Sequence, residues 1–182
     1  MKYAVGIDIG GSTTKIAGFN GEEMLLPVQI TASNAIASLF GAFGKFLYDN
    51  DLELIDIDQV NLTGVGSSNI KQKIYGLPTY KVDEFSANGV GGGYFAEGKE
   101  DFMVVSMGTG TSFVRVQNRI PTHLGGIGIG GGTITGLSKL MLNTDDVDKI
   151  QEMASDGNVA HIDLRIGDIS NKPLPGLDLE IT

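Results

Sequence analysis

A chain of 182 residues, 41% of them hydrophobic and 19% charged, has enough apolar material for a buried core, which excludes disorder as its default state. Its 22 acidic and 13 basic side chains leave a net charge of −9, the wrong sign for a protein that neutralises a nucleic-acid backbone. The absence of cysteine excludes disulfides, thiolate zinc sites, cysteine nucleophiles and iron–sulfur clusters.

Residues 3–9 form a nearly continuous apolar run that carries an acid, Asp8, where a signal peptide needs an uninterrupted apolar stretch. No run approaches the roughly 20 apolar residues of a membrane span. A cytoplasmic protein without a membrane partner is therefore expected. The run reads as a strand, Gly10-Gly11-Ser12 as a turn, and residues 14–19 as a second strand. A third strand is expected over residues 24–30, near a sheet edge because of Pro27. Ser33 is a good N-cap, and Ile36, Leu39, Phe40, Phe43, Phe46 and Leu47 then recur at the spacing of one helical face. Short strands are expected at residues 60–62 and 80–82, with a loop over residues 63–68. Residues 86–97 read as a helix in spite of Gly91, Gly92 and Gly93, each of which weakens it by up to about 1 kcal/mol relative to alanine. Such a helix must be approached closely by other backbone.

The pattern then repeats. Residues 102–107 are a strand stopped by Gly108-Thr109-Gly110-Thr111, and residues 112–116 alternate as a second strand. Residues 8–13 match residues 106–111, 98 positions later, in a polar residue, a glycine, small residues and a threonine, which points to internal duplication. Residues 119–124 carry Pro121 and give no clear strand. The glycine cluster at residues 125–132 leads into a helix with an apolar face of Ile134, Leu137, Leu140 and Met141. A further helix is expected to open at Thr144, with Asp145, Asp146 and Asp148 in its first turn. The tail, residues 161–182, alternates short apolar pairs with glycine and proline.

A glycine turn between strands aims several backbone N–H groups at one point and so favours anions, and the helix start near residue 133 favours phosphate as well. Three such elements converging on one cleft would suit a nucleoside triphosphate. Lys15 would add positive charge, and Asp8 would position magnesium through water. Asp83-Glu84-Phe85 would place a carboxylate at the cleft mouth to take a proton from an alcohol. Each feature alone has a plainer reading: a hairpin, a solvated lysine, a turn-forming aspartate, a helix-start acid. Gly126-x-Gly128-x-x-Gly131 also matches a dinucleotide fingerprint, but without a clear strand before it. His123 and His161 are the only histidines and have no metal partner at recognisable spacing.

In order, Gly6-Ile7-Asp8-Ile9-Gly10-Gly11-Ser12-Thr13-Thr14-Lys15, Val82-Asp83-Glu84-Phe85, residues 105–112 and residues 125–132 resemble the type II pantothenate kinases of the actin-like, sugar-kinase and Hsp70 ATPase superfamily. The resemblance implies a ribonuclease H-like α/β fold in two duplicated domains: residues 1–100, and residues 101–182 as the incomplete start of the second. It implies ATP and magnesium in the cleft and phosphoryl transfer to the primary hydroxyl of pantothenate, the first step of coenzyme A biosynthesis. By motif, Asp8, Gly10, Gly11, Ser12, Thr13, Thr14 and Lys15 become the first phosphate loop. Thr109 becomes a second contact, and Gly131, Gly132, Thr133, Ile134 and Thr135 a third. Glu84 falls on the catalytic base, and a full-length form is expected to be a homodimer.

Two departures qualify this expectation. His123 stands where the family carries the arginine that grips the pantothenate carboxylate, so a related alcohol is an alternative substrate. The chain also stops before the family's remaining second-domain elements, so an inactive nucleotide-binding module is a second reading and a dinucleotide-dependent oxidoreductase a third. Acyl-CoA dehydratase activators of the same superfamily resemble the first motif but need cysteine for an iron–sulfur cluster.

Overall fold

A computed structural model describes residues 2–31, 34–172 and 175–181. The chain separates into two units, Met1–Thr133 and Ile134–Thr182.

In the first unit, strict alternation in β1 (Tyr3–Ile9) buries Val5, Ile7 and Ile9 and turns Gly6 and Asp8 to the opposite face. β1 pairs antiparallel with β2 (Thr13–Asn20) and parallel with β5 (Ile57–Thr63), so it lies at the centre of the sheet. Helix α1 (Ala35–Asp49) covers the buried face, where Leu39, Ala42, Phe43 and Phe46 meet Val5, Ile7, Ile16, Val60 and Leu62 in one core. Its N-cap is Asn34, whose side chain accepts from the Ile36 and Ala37 N–H groups; Ser33 lies outside the described residues. Ile36, expected on the buried face, is half exposed.

The single strand expected over residues 24–30 is two strands, β3 (Glu23–Met24) and β4 (Val28–Thr31), each paired with β2. Pro27 has no N–H for the ladder, and the adjacent gap is stitched by Asn50, which accepts from Leu26 N at 2.9 Å and donates to Leu26 O at 3.0 Å. The loop expected over residues 63–68 tightens into a 3-10 turn, Val65–Asn69, after Gly64 at φ +83°. β6 (Thr79–Lys81) closes this sheet, parallel to β5.

A second sheet in the same unit is an antiparallel meander of β7 (Asp101–Met107), β8 (Thr111–Gln117) and β9 (Ile120–Ile127). Residues 119–124, which give no clear strand in the sequence, thus lie largely in β9. It is an edge strand, where a residue without an N–H is tolerated, and Leu124 is an extra residue between Phe113↔Gly125 and Val114↔His123. Helix α2 (Glu84–Phe95) packs on this sheet through its glycines: a Cβ on Gly89 would lie 2.3 Å from Pro121 Cβ, and one on Gly92 2.4 Å from Val104 Cγ2. At its far end Tyr94 meets Phe19 of β2 edge to face, with ring centroids 5.4 Å apart, so α2 bridges both sheets. The sheets divide between residues 81 and 101, whereas the compact units divide at residues 133 and 134.

Helix α3 (Gly131–Leu142) runs from the first unit into the second, and Ile134, Leu137, Leu140 and Met141 all stay more than half exposed on it. In the second unit, α4 (Val147–Ser155) starts three residues later than expected. Asp146 caps it, accepting from Asp148 N and Lys149 N, while Thr144 precedes the helix and accepts from Asp146 N. The short α5 (Ile166–Ile169) is tied to residues near the C-terminus by Ile166 N donating to Ile181 O and Gly167 N to Leu179 O. Among the described residues no helix is long and apolar enough to cross a membrane.

Candidate nucleotide and acceptor site

Both glycine turns of the repeat are hairpin ends. Gly10 N donates to Thr13 O at 2.9 Å in the first, and Gly108 N to Gly110 O at 2.8 Å in the second. The two turns line one cavity of about 450 Å³, together with Asp8, Lys15, Glu84, Asn88, Ser106 and His123. Gly10, Gly11, Ser12, Thr13 and Thr109 all reach it. Thr14 does not: alternation along β2 puts it on the face of the core residue Ile16, where it is fully buried.

Lys15 Nζ donates to Asp8 Oδ2 at 3.0 Å across the β1–β2 pair, so the one lysine of the cavity wall is partly neutralised before any anion arrives. Asp8 in turn sits hard against the chain at Gly64, where an added Cβ would be 2.3 Å from Asp8 Oδ1. Among the described residues no cluster of three or more His, Asp or Glu is placed to hold a metal ion. A single carboxylate beside a donor-rich turn nevertheless fits a magnesium ion that keeps most of its waters and takes phosphate oxygens.

The third glycine segment is placed differently. Gly131 N donates to Gly108 O at 2.8 Å, Gly132 N to Thr109 O at 3.1 Å and Thr133 N to Gly130 O at 3.0 Å. A Cβ on Gly130 would come within 2.7 Å of the Gly110 backbone, and one on Gly132 within 2.7 Å of Thr109 Cγ2. These glycines permit close packing behind the second turn, and residues 131–133 do not line the cavity. Ile134 and Thr135 belong to the second unit. The dinucleotide fingerprint in this segment does follow a strand, β9, and precede a helix, α3, but β9 belongs to an antiparallel meander without the parallel βαβ unit that the fingerprint serves.

Glu84 is the first residue of α2, directly after the N-cap Asp83, whose carboxylate accepts from Ser86 N at 2.8 Å. The Ser86 backbone and side-chain bonds hold the Asp83 carboxyl below the usual range, and His123 adds a smaller electrostatic pull the same way. The Phe85 ring stacks on the His123 imidazole at 3.6 Å between centroids and 8° between planes, which fixes the ring on the cavity wall. A second cavity of about 490 Å³ shares Asp8, Lys15, Glu84 and Asn88 with the first and extends over the face of the large sheet that α1 leaves uncovered. Sequence reasoning missed this cavity, the stack and Asn88. Asn88 carried one usable signal: it lies four residues after Glu84, on the same helical face.

Two sheets with a cleft at their glycine turns have the actin-like ATPase fold. The fold is shared with component A of the (R)-2-hydroxyglutaryl-CoA dehydratase of Acidaminococcus fermentans, at TM-score 0.67 and 16% identity over 96% of this chain and 61% of that one. It is shared too with the activator of the 2-hydroxyisocaproyl-CoA dehydratase from Clostridium difficile with bound ADPNP, at TM-score 0.62 and 16% identity over 94% and 59%. Residues 45–182 match the Fumble family, and the chain belongs to that family. The type II pantothenate kinase of Bacillus cereus strain G9842 is 32% identical over 196 aligned residues, covering 100% of this chain and 65% of its relative. That of Staphylococcus epidermidis strain RP62A is 28% identical over 179, covering 94% and 63%. The chain thus spans a little under two thirds of the length of these curated relatives.

Proposed function

We propose that the chain is the phosphate-binding and alcohol-activating part of a kinase of coenzyme A biosynthesis, which transfers the γ-phosphoryl group of ATP to the primary hydroxyl of pantothenate or a related small alcohol. The observation that carries this reading is the meeting of both repeated glycine turns and the Glu84 carboxylate in one cavity. The curated relatives are named as kinases, and the fold neighbour from Clostridium difficile has ADPNP bound. In this reading, residues 1–100 are the first of two duplicated domains and residues 101–182 the start of the second. The whole protein works in the cytoplasm as a homodimer.

Phosphoryl transfer needs mainly positioning and charge stabilisation. Gly10 closes the first turn through its bond to Thr13 O, the Gly11 and Ser12 N–H groups and the Ser12 and Thr13 hydroxyls hold one side of the phosphate chain, and Thr109 in the second turn holds the other. Lys15 contributes charge when an anion draws it from Asp8; Asp8 would then hold a magnesium ion through its waters, and the ion would supply positive charge to the phosphates. Gly131 and Gly132 act through support, by tying down the carbonyls of Gly108 and Thr109. Glu84 accepts the proton of the acceptor hydroxyl, so that the oxygen attacks as proton transfer proceeds. His123, held by Phe85, contacts the acidic end of the acceptor.

ADP release by the protein at the full length of its relatives, with pantothenate and with the neutral pantetheine, tests this reading. Both alcohols are expected to be turned over, and His123→Arg is expected to lower the KM for pantothenate by about tenfold while leaving that for pantetheine unchanged, because a guanidinium pairs with carboxylate alone. ADP release that no added alcohol stimulates would overturn the kinase reading. A pantothenate KM indifferent to the substitution would assign the carboxylate to another residue.

A further inference from the structure

A third cavity, of about 250 Å³, lies between the second half of α2 and the end of the small sheet away from the glycine turns. Val90, Phe102 and Val116 give it an apolar wall, and Lys99, Glu100 and Arg119 bring charge to it. The length of β8, about 20 Å, separates it from the cavity that Thr109 and Thr111 line. Asn118 and Arg119 are the two-residue loop of the hairpin between β8 and β9, with Gln117 paired to Ile120. Both have positive φ, 51° and 64°, the φ pattern of a type I′ turn. Asparagine suits the first position, whereas the second is the place of glycine, and an arginine there strains the backbone. Strained residues of this kind cluster at ligand clamps, where the use of the side chain outweighs the backbone cost. The other two arginines pair with carboxylates, Arg115 with Asp101 and Arg165 with Asp168 and Glu180. Among the described residues, Arg119 and Lys99 have no carboxylate within ion-pair distance, Glu100 included, in a chain whose net charge is −9.

Independently of the kinase reading, we infer that this third cavity is a further ligand site, for a small monoanionic carboxylate with an apolar body. The Arg119 guanidinium takes the carboxylate through two parallel N–H bonds, and Lys99 adds a point charge. The body of the ligand lies against Val90, Phe102 and Val116. Glu100 sets the charge that fits. Two cations and one acid leave the wall a single positive charge, which a carboxylate neutralises and a phosphate dianion exceeds. The volume sets the size, since about 250 Å³ admits one ring or a short chain and excludes a nucleotide.

Backbone-amide NMR of the isotope-labelled chain, titrated at neutral pH with benzoate, neutral benzyl alcohol and the dianion phenyl phosphate, tests this. Benzoate is expected to move the signals of residues 98–102 and 118–119 saturably, while those of Gly10, Gly11 and Ser12 stay in place. Benzyl alcohol is expected to bind about tenfold more weakly, and phenyl phosphate about threefold more weakly. Arg119→Gly should weaken benzoate about tenfold and yet raise the melting temperature by a few degrees, because glycine relieves the turn. An arginine with a merely structural role would not part the two readouts in this way. Lys99→Gln, which leaves the turn intact, should weaken benzoate about threefold. Shifts that do not saturate, or benzyl alcohol or phenyl phosphate binding as tightly as benzoate, overturn the inference. So does a benzoate affinity that Arg119→Gly changes by less than about twofold. Benzoate binding here without any binding of MgATP at the glycine turns would remove the kinase reading and leave this site standing.

Discussion

Glu84→Gln is expected to lower kcat by about 10² to 10⁴ while changing the affinity for ADPNP by less than about twofold. Glutamine keeps the shape of the side chain but takes no proton. The position itself is fixed by other residues: Asp83 caps the helix through Ser86 N, and Gly89 and Gly92 seat α2 against Pro121 and Val104. A change at residue 84 therefore alters the chemistry and leaves the geometry of the wall intact. The measurement is steady-state ADP release at saturating alcohol and MgATP in the protein at the full length of its relatives, with a single-turnover control that chemistry is the slow step. A variant that keeps the parent kcat under those conditions would reduce Glu84 to a helix-start acid.

Gly64→Ala is expected to destabilise the fold by about 2–4 kcal/mol and lower the melting temperature by roughly 5–15 °C. Two costs combine. Gly64 has φ +83°, a conformation that L side chains adopt poorly, and its added Cβ would lie 2.3 Å from Asp8 Oδ1, 2.6 Å from Ile9 O and 2.8 Å from Ile9 C. A rotamer change moves Asp8 but cannot move the backbone of β1, so the central strand must shift. Gly21→Ala separates the two costs, since Gly21 has φ +64° with nothing within 4 Å of the new Cβ; it should cost only about 1 kcal/mol. Equal melting temperatures for the two variants would show that the packing at Gly64 is not tight. Because Asp8 lines the cavity, Gly64→Ala should also weaken MgATP beyond what its stability loss explains.

The parts of this account that were legible in the sequence are those set by local periodicity. Alternation at Val5, Ile7 and Ile9 and the three-and-four spacing of Leu39, Phe43 and Phe46 locate the central strand and its covering helix, and the 98-residue repeat locates both hairpin turns. Proline misled in two places, because its effect depends on the neighbouring strand: Pro27 divides a strand and Pro121 sits within an edge strand. Glycine misled in a subtler way. The motif makes residues 131–135 a phosphate contact, whereas the absence of a side chain at Gly130, Gly131 and Gly132 lets them pack on Gly108, Thr109 and Gly110 at distances a Cβ would forbid. No one-dimensional pattern distinguishes these two uses. Likewise nothing local marks Thr63 and Asn88 as neighbours of one cavity, since one comes from a strand and the other from a helix 25 residues later.

If the two glycine turns and their cavity take a nucleoside triphosphate, that ligand, binding only the folded state, must raise the melting temperature with concentration. The measurement is thermal unfolding of the chain in rising concentrations of MgATP, magnesium tripolyphosphate and NAD. MgATP is expected to raise the midpoint progressively, tripolyphosphate to reproduce most of the rise because the cavity wall carries the backbone N–H and hydroxyl groups of two glycine turns, and NAD to leave it unchanged. No shift with MgATP, or a larger shift with NAD, would mean that the two turns do not form a triphosphate site.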